Sequence, residues 1–246
     1  PCIQSVFILR LFGIYSAPIR RSFGAHSALV LCSSIIVSGC DQFGELPSGE
    51  EQQRIEKSKN YNLDSAQFVN RRPNILDKMG EGHSFWSDPL KRMSHNFFFN
   101  SNETTPLSVL PEDSGPIPID FKESKGTIKF SWLGHSTILI SINNKIILTD
   151  PIFSSSASPV NGFIRRFQPP ALNLEALPKI DYILISHDHY DHLDMETVKY
   201  FREKNIQFIV PLGVSPHLTR WGVKKSQVKE FDWWDALEIE GLSFIC

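Results

Sequence analysis

The sequence predicts an α/β fold, and two patterns lead to that assignment. Between residues 127 and 149, apolar and polar residues alternate, which is typical of strands with one buried face. From Tyr182 onward, a short apolar run, a helical segment and a second apolar run follow one another, at residues 182–185, 195–203 and 207–210. A strand, a helix and a strand in this order predict a βαβ crossover between parallel strands.

The composition limits the class of protein. The chain has 246 residues, of which 41% are hydrophobic and 21% charged, enough for one domain with a substantial core. A formal net charge of −2 does not imply a broad polycationic surface, so no nucleic-acid partner is expected. The cysteines are Cys2, Cys32, Cys40 and Cys246. Residues 41–245 therefore offer neither a disulfide framework nor a cysteine-based metal site.

Residues 1–40 have the features of an export signal. They contain no Asp or Glu, carry several arginines, and include an apolar stretch at residues 28–37 that is too short to span a bilayer. Val37-Ser38-Gly39-Cys40 resembles the lipobox of bacterial lipoproteins, which implies cleavage before Cys40 and attachment of lipid to its sulfur. We therefore expect a bacterial envelope protein, anchored by lipid to a membrane on the extracytoplasmic side.

Other interpretations of this segment stay open. Arg20-Arg21 resembles a twin-arginine export signal, and an acid-free start with Arg and Ser also fits a mitochondrial presequence. A mitochondrial or cytoplasmic location is thus the alternative. Residues 41–80 are polar without a sustained apolar period, which predicts a polar tether. Residues 81–246 are assigned to the folded domain.

The domain's elements follow in order from local patterns. Strands are predicted at 127–132, 137–142 and 145–149, the last two joined by Asn143-Asn144, which tolerates the positive φ of a tight hairpin turn. The helix at 195–203 has Asp194 at its N-cap position. Beyond the strand at 207–210, we expect a short helix at 214–221, a strand at 228–231, and a hairpin that turns at Glu240-Gly241.

A histidine-rich loop between the strand at 182–185 and the following helix carries the chemistry. Residues two apart in extended backbone point the same way, so His187 and His189 can chelate one metal ion. As the chain turns toward the helix, Asp191 and His192 can face a second metal ion. Imidazole and carboxylate ligands together favour zinc, with iron or manganese as alternatives.

Three further residues are candidates for a lesser role. Asp150 ends a strand beside this loop, where it either orients a metal-binding imidazole or is a plain turn residue before Pro151. His135 lies in a turn and is interpreted as structural, so it stays outside the ligand set. His217 lies in another segment and is also left out.

The loop matches the His-x-His-x-Asp-His signature of metallo-β-lactamase fold hydrolases. Further segments resemble the branch that includes N-acyl-phosphatidylethanolamine-hydrolysing phospholipase D. In chain order these are Trp132–Thr137, Leu148–Phe153, Ala157–Pro159, Arg166–Pro170, Ile209–Gly213 and Asp232–Asp235. The resemblance covers about residues 80–240.

The resemblance implies an αββα sandwich that holds two zinc ions. It also implies further ligands, a third histidine, a bridging aspartate and a final histidine, from loops after Trp233-Trp234-Asp235. We therefore expect an incomplete second half in this chain, with weak metal binding and impaired turnover.

The activity that the resemblance implies is hydrolysis of a phosphodiester in an N-acyl-phosphatidylethanolamine-type phospholipid. Asp191 would be both a ligand and the residue that orients the nucleophile. A lactonase or another hydrolase of small esters is the alternative enzyme, because the fold does not fix the substrate. A truncated scaffold without catalytic activity is the alternative of a different class. The sequence leaves the oligomeric state undefined.

Overall fold

The structure is a computed structural model that describes residues 41–70, 106–112, 115–158 and 165–246. The predicted signal segment, with Cys40, lies outside these ranges, and so does the first part of the predicted domain, residues 81–105. Within the described ranges, none of the helices has the length and apolar content needed to cross a membrane.

Residues 41–70 differ from the predicted polar tether. They form helix α1 (Glu50–Glu56) and a small hairpin of β1 (Tyr61–Asn62) and β2 (Gln67–Phe68). The polar side chains pair with specific partners on the domain: Arg54 with Glu230 at 2.9 Å, and Ser58 and Asn60 with the carboxylate of Asp232. Because these contacts are long-range, a local apolar period could not reveal them.

A six-stranded mixed sheet forms the centre of the domain and confirms the α/β assignment. Its strands are β3 (Ile128–Gly134), β4 (Thr137–Ile142), β5 (Lys145–Thr149), β6 (Tyr182–Leu184), β7 (Gln207–Pro211) and β8 (Val228–Phe231). They lie side by side in chain order; β3 to β5 pair antiparallel and β5 to β8 parallel. Helix α2 (Met195–Phe201) connects β6 to β7, which confirms the βαβ crossover, and α3 (Ser215–Arg220) follows β7.

The turn between β4 and β5 has the predicted conformation. Asn143 and Asn144 have φ values of 48° and 60°, and Ile142 pairs with Lys145 across the turn. Two consecutive left-handed residues match the right-handed twist of the flanking strands.

Side chains alternate between two cores on opposite faces of the sheet. On β5, Ile146 and Leu148 pack against the helices, whereas Ile147 faces the other side. The same alternation holds on β7, where Phe208 and Val210 share the helix-side core. This period of two is what the pleat of a strand imposes.

A second hairpin covers part of the face opposite the helices. Its strands β9 (Ala236–Ile239) and β10 (Leu242–Ile245) place Leu242 and Phe244 against Tyr182 and Ile209 of the sheet. Helices, the large sheet and this hairpin therefore form three successive layers, as in an α/β fold of the metallo-β-lactamase type. On the edge strand β3, the row Ile128, Phe130 and Trp132 remains 61–73% exposed.

The difference in burial between two phenylalanines predicts different losses of stability when each is replaced by alanine. Phe208 is fully buried and Phe130 is 73% exposed. Phe208→Ala should lower the free energy of unfolding by about 3–5 kcal/mol, because it removes buried apolar surface and leaves a cavity. Phe130→Ala should change it by roughly 0.5 kcal/mol or less. Guanidinium denaturation of both variants measures the difference; equal losses would contradict the assignment of the core.

Candidate metal centre

The histidine-rich loop begins where β6 ends and closes at the start of α2. Its second half is a tight turn, since the N–H groups of His192 and Leu193 both donate to the carbonyl of His189. Asp194 caps α2 as predicted, accepting from the N–H of Glu196 at 3.2 Å. The buried Asp194 carboxylate also accepts from the N–H of Ser154 at 2.9 Å. The loop that follows β5 is thereby fixed to the helix.

Sheet topology brings the candidate residues to one edge. Parallel strands end at the same edge, so Asp150 after β5, the histidine-rich loop after β6 and α3 after β7 are neighbours. Strand β3 runs in the same direction as β5, because both are antiparallel to β4. The turn that carries His135 therefore lies at this edge as well.

Asp150 is a buried carboxylate held in an unusual backbone conformation. Its φ is +36°, a region that non-glycine residues seldom occupy and that clusters at functional sites. Its N–H donates to Leu184 on β6, and its own carbonyl accepts from the hydroxyl of Thr137. These two bonds hold the residue at the end of the strand.

The carboxylate of Asp150 accepts three hydrogen bonds from the loop. Ser186 donates its N–H to Oδ1 at 2.6 Å and its hydroxyl to Oδ2 at 2.7 Å. The Nδ1 atom of His192 lies 2.9 Å from Oδ2. An ionised carboxylate can only accept, so Nδ1 of His192 must carry a proton.

The same logic fixes the tautomer of His187. Its Nδ1 lies 2.8 Å from the hydroxyl oxygen of Ser186, whose single proton is already directed at Asp150. The Ser186 oxygen therefore accepts from Nδ1–H of His187. In the neutral rings of His187 and His192, Nε2 is left with its lone pair, which is the form that binds metal.

The predicted histidines are close together. The ring centroids of His187 and His189 are 4.6 Å apart, and those of His187 and His192 are 4.1 Å apart. Protonating one of three adjacent imidazoles is electrostatically unfavourable when its neighbours are also charged. Burial first, and then the neighbouring His192 and His189, lower the pKa of His187 below its ordinary value. The neutral, ligand-competent form is thus favoured.

A second group joins Asp191 and His192 to His135. One donor atom from each of these three residues lies within 4.8 Å of the other two, and they are the only such cluster in the described part of the chain. Nε2 of His135 is 3.2 Å from Oδ2 of Asp191, and Nε2 of His192 is 3.7 Å from the same oxygen. His187 and His189 are not members of this cluster.

His135 is the residue that sequence reasoning left out. It adopts a left-handed φ of +46°, and its carbonyl accepts from the indole N–H of Trp132 at 2.8 Å. A turn histidine alone carries little information. The sequence did contain a topological signal. Two successive hairpins, β3–β4 and β4–β5, make β3 and β5 run in the same direction, so His135 at the end of β3 lies at the same edge as Asp150 at the end of β5.

Comparison with known proteins agrees with this geometry. Residues 145–246 match the family described as "Beta-lactamase superfamily domain". This range contains β5 to β10, Asp150 and the whole histidine-rich loop. This region is therefore similar to the beta-lactamase superfamily domain, which confirms the resemblance predicted from the loop signature.

Individual relatives cover the chain only in part. The "Uncharacterized protein Rv0906" of Mycobacterium tuberculosis is 39% identical over 54% of this chain and 37% of its own length. The "N-acyl-phosphatidylethanolamine-hydrolyzing phospholipase D 1" of Caenorhabditis elegans is 36% identical over 48% of this chain and 35% of its own. A "UPF0173 metal-dependent hydrolase" of Anaeromyxobacter is 29% identical over 43% and 35%, respectively. The chain thus spans 35–37% of the length of these relatives.

The hydrogen bonds of Asp150 predict the tautomers of two histidines. In metal-free protein, long-range ¹H–¹⁵N spectra should show His187 and His192 protonated at Nδ1. The pKa of His187 should lie below its ordinary value of 6.5. As the pH falls below 6.5, the unfolded chain binds the proton more readily than the folded chain does. The contribution of His187 should therefore lower the free energy of unfolding in this range.

Asp150→Asn is the control for these spectra. An amide has an N–H₂ group as well as a carbonyl, so it no longer requires a proton on Nδ1 of His192. The tautomer preference should weaken in this variant. An unchanged preference would show that Asp150 does not determine it.

Proposed function

We propose that the protein is a metal-dependent hydrolase and that its metal centre is built on the histidine-rich loop. The observation that carries this proposal is the arrangement of electron-pair donors around Asp191. In the neutral ring, Nε2 of His192 has the lone pair because Nδ1 carries the proton directed at Asp150, and this Nε2 faces a carboxylate oxygen of Asp191 3.7 Å away. Two acceptors that face each other at this distance favour a cation between them.

The residues present fit a divalent ion of the zinc type. Neutral imidazoles and a carboxylate are the ligands that zinc prefers in proteins without a cysteine site. We propose His187, His189, Asp191 and His192 as ligands, and zinc, with two ions in the complete protein, as the cofactor. When bound, such ions polarise a phosphoryl or carbonyl oxygen and acidify water.

The chain's own residues have separate roles in this proposal. Asp150 and Ser186 keep the Nε2 atoms of His187 and His192 free to bind metal. Asp191, with one oxygen near both His135 and His192, orients the nucleophile. Because the half-buried loop is fixed before substrate arrives, it avoids reorganisation during the reaction.

We propose a phosphodiester of the N-acyl-phosphatidylethanolamine type as substrate. The support is the activity for which the C. elegans relative is named, with which this chain shares 36% identity over a partial length. The signal-like start, with a lipidation motif at Cys40, adds a second argument, since it would hold the enzyme beside its phospholipid.

Metal removal and ligand substitution test the reaction. The protein, expressed from its complete open reading frame, should hydrolyse N-acyl-phosphatidylethanolamine, lose activity on chelation, and regain it with zinc. His189→Ala and Asp191→Ala should each lower kcat/KM by about 100- to 1,000-fold or more, because each removes a group that fixes the charge-stabilising centre. Asp64→Ala, at an exposed position on the hairpin after α1, is the matched control and should leave activity unchanged.

Other outcomes of this experiment separate the alternatives. Hydrolysis of lactones or simple esters without phosphodiester turnover would replace the proposed substrate and leave the metal centre intact. Wild-type protein that retains no metal and turns over none of these substrates would overturn the proposed function.

The anchor at Cys40 has its own test. Mass spectrometry of protein from bacterial membranes should find Cys40 at the mature N-terminus with acyl chains attached. Cys40→Ser should release the protein from the membrane fraction, because the lipidated sulfur is then missing. An unmodified Cys40 inside a longer chain would contradict the lipoprotein assignment.

A further inference from the structure

Asp188, the residue between His187 and His189, contacts another element of the fold. Its carboxylate oxygen Oδ2 lies 3.8 Å from Nε2 of His217 on α3. Neighbouring residues of an extended segment point in opposite directions, so this contact holds the loop from the side opposite to the two histidines.

The second ring nitrogen of His217 is also occupied. Nδ1 accepts a hydrogen bond from the N–H of Glu45 at 3.2 Å. A nitrogen that accepts is unprotonated, so in the neutral ring the proton is on Nε2 and points toward Asp188. His217 is buried, and it is thus held in one orientation and one tautomer by partners on both sides.

The segment that carries Glu45 is attached firmly to α3. The carbonyl of Asp41 accepts from the indole of Trp221 at 2.6 Å, and its carboxylate accepts from Arg220 at 2.6 Å. Gly44 has a φ of +68°, and a Cβ at this position would overlap Nδ1 of His217. Only glycine allows residues 41–45 to approach the histidine this closely.

We propose that His217 is a positioning residue for the metal centre, acting through Asp188 on the segment that presents His187 and His189. Residues 41–45 hold His217 in place. This inference rests on the proposed metal centre, and it gives residues 41–45 a role in metal affinity. His217 itself does not touch the metal or the substrate.

The experiment compares zinc affinity, measured by competition with a chromophoric chelator, with thermal unfolding of the metal-free protein. His217→Phe fills the space but has no donor, and Gly44→Ala displaces the ring. Each should weaken zinc binding by about 10- to 100-fold, the range typical for the loss of a residue that orients a metal ligand. Gly49→Ala is the matched control: its φ of +56° gives the same left-handed strain, but nothing lies within 4 Å of the added Cβ.

Variants at Asp188 keep the inference testable if the buried histidine cannot be replaced without unfolding. Asp188 is exposed, so its substitution should be tolerated. Asp188→Ala should weaken zinc binding as His217→Phe does, and the double variant should be no weaker than either single variant because both remove the same contact. Asp188→Asn, which keeps an acceptor oxygen, should restore most of the affinity.

The outcomes distinguish the two levels of the proposal. If the wild-type protein binds zinc and the His217→Phe and Asp188→Ala variants bind it within twofold of wild type, the positioning role is wrong while the metal centre stands. A lower melting temperature without a change in zinc affinity would likewise reduce His217 to a structural role. Wild-type protein that binds no zinc would overturn the metal centre and this inference together.

Discussion

The site depends on the carboxylate of Asp150. It is buried, it can only accept hydrogen bonds, and it accepts them from Ser186 and His192. Through Ser186 its influence extends to His187. This one carboxylate thus determines which nitrogen of each of two imidazoles is available to a metal ion. Placing this carboxylate beneath the loop requires a left-handed backbone conformation at Asp150, which is energetically unfavourable for a residue other than glycine.

The rest of the fold keeps this carboxylate and the loop in register. Hydrogen bonds join β5 to β6 and β6 to β7 up to the residues that precede the site. Two buried cores fix the sheet from both faces, and Asp194 binds the following helix to the loop after β5. The functional side chains are therefore on loops whose ends are rigid, which is where binding residues are commonly found.

Local sequence patterns were enough for the elements and for the superfamily. The strands at 137–142, 145–149 and 228–231 have the predicted bounds, because alternation and turn residues are local signals. The contacts of His135, His217 and residues 41–70 were not predictable in this way. Each depends on segments far apart in the chain: Glu45 and His217, for example, are separated by 172 residues. Periodicity cannot report on pairs that only the tertiary fold brings together.

The open row on β3 also has a physical consequence. Ile128, Phe130 and Trp132 form a continuous exposed apolar row along β3, which is an edge strand among the described residues. The backbone of an edge strand can pair with another chain. At high concentration this row favours self-association, and dilution or mild detergent would keep the molecules apart.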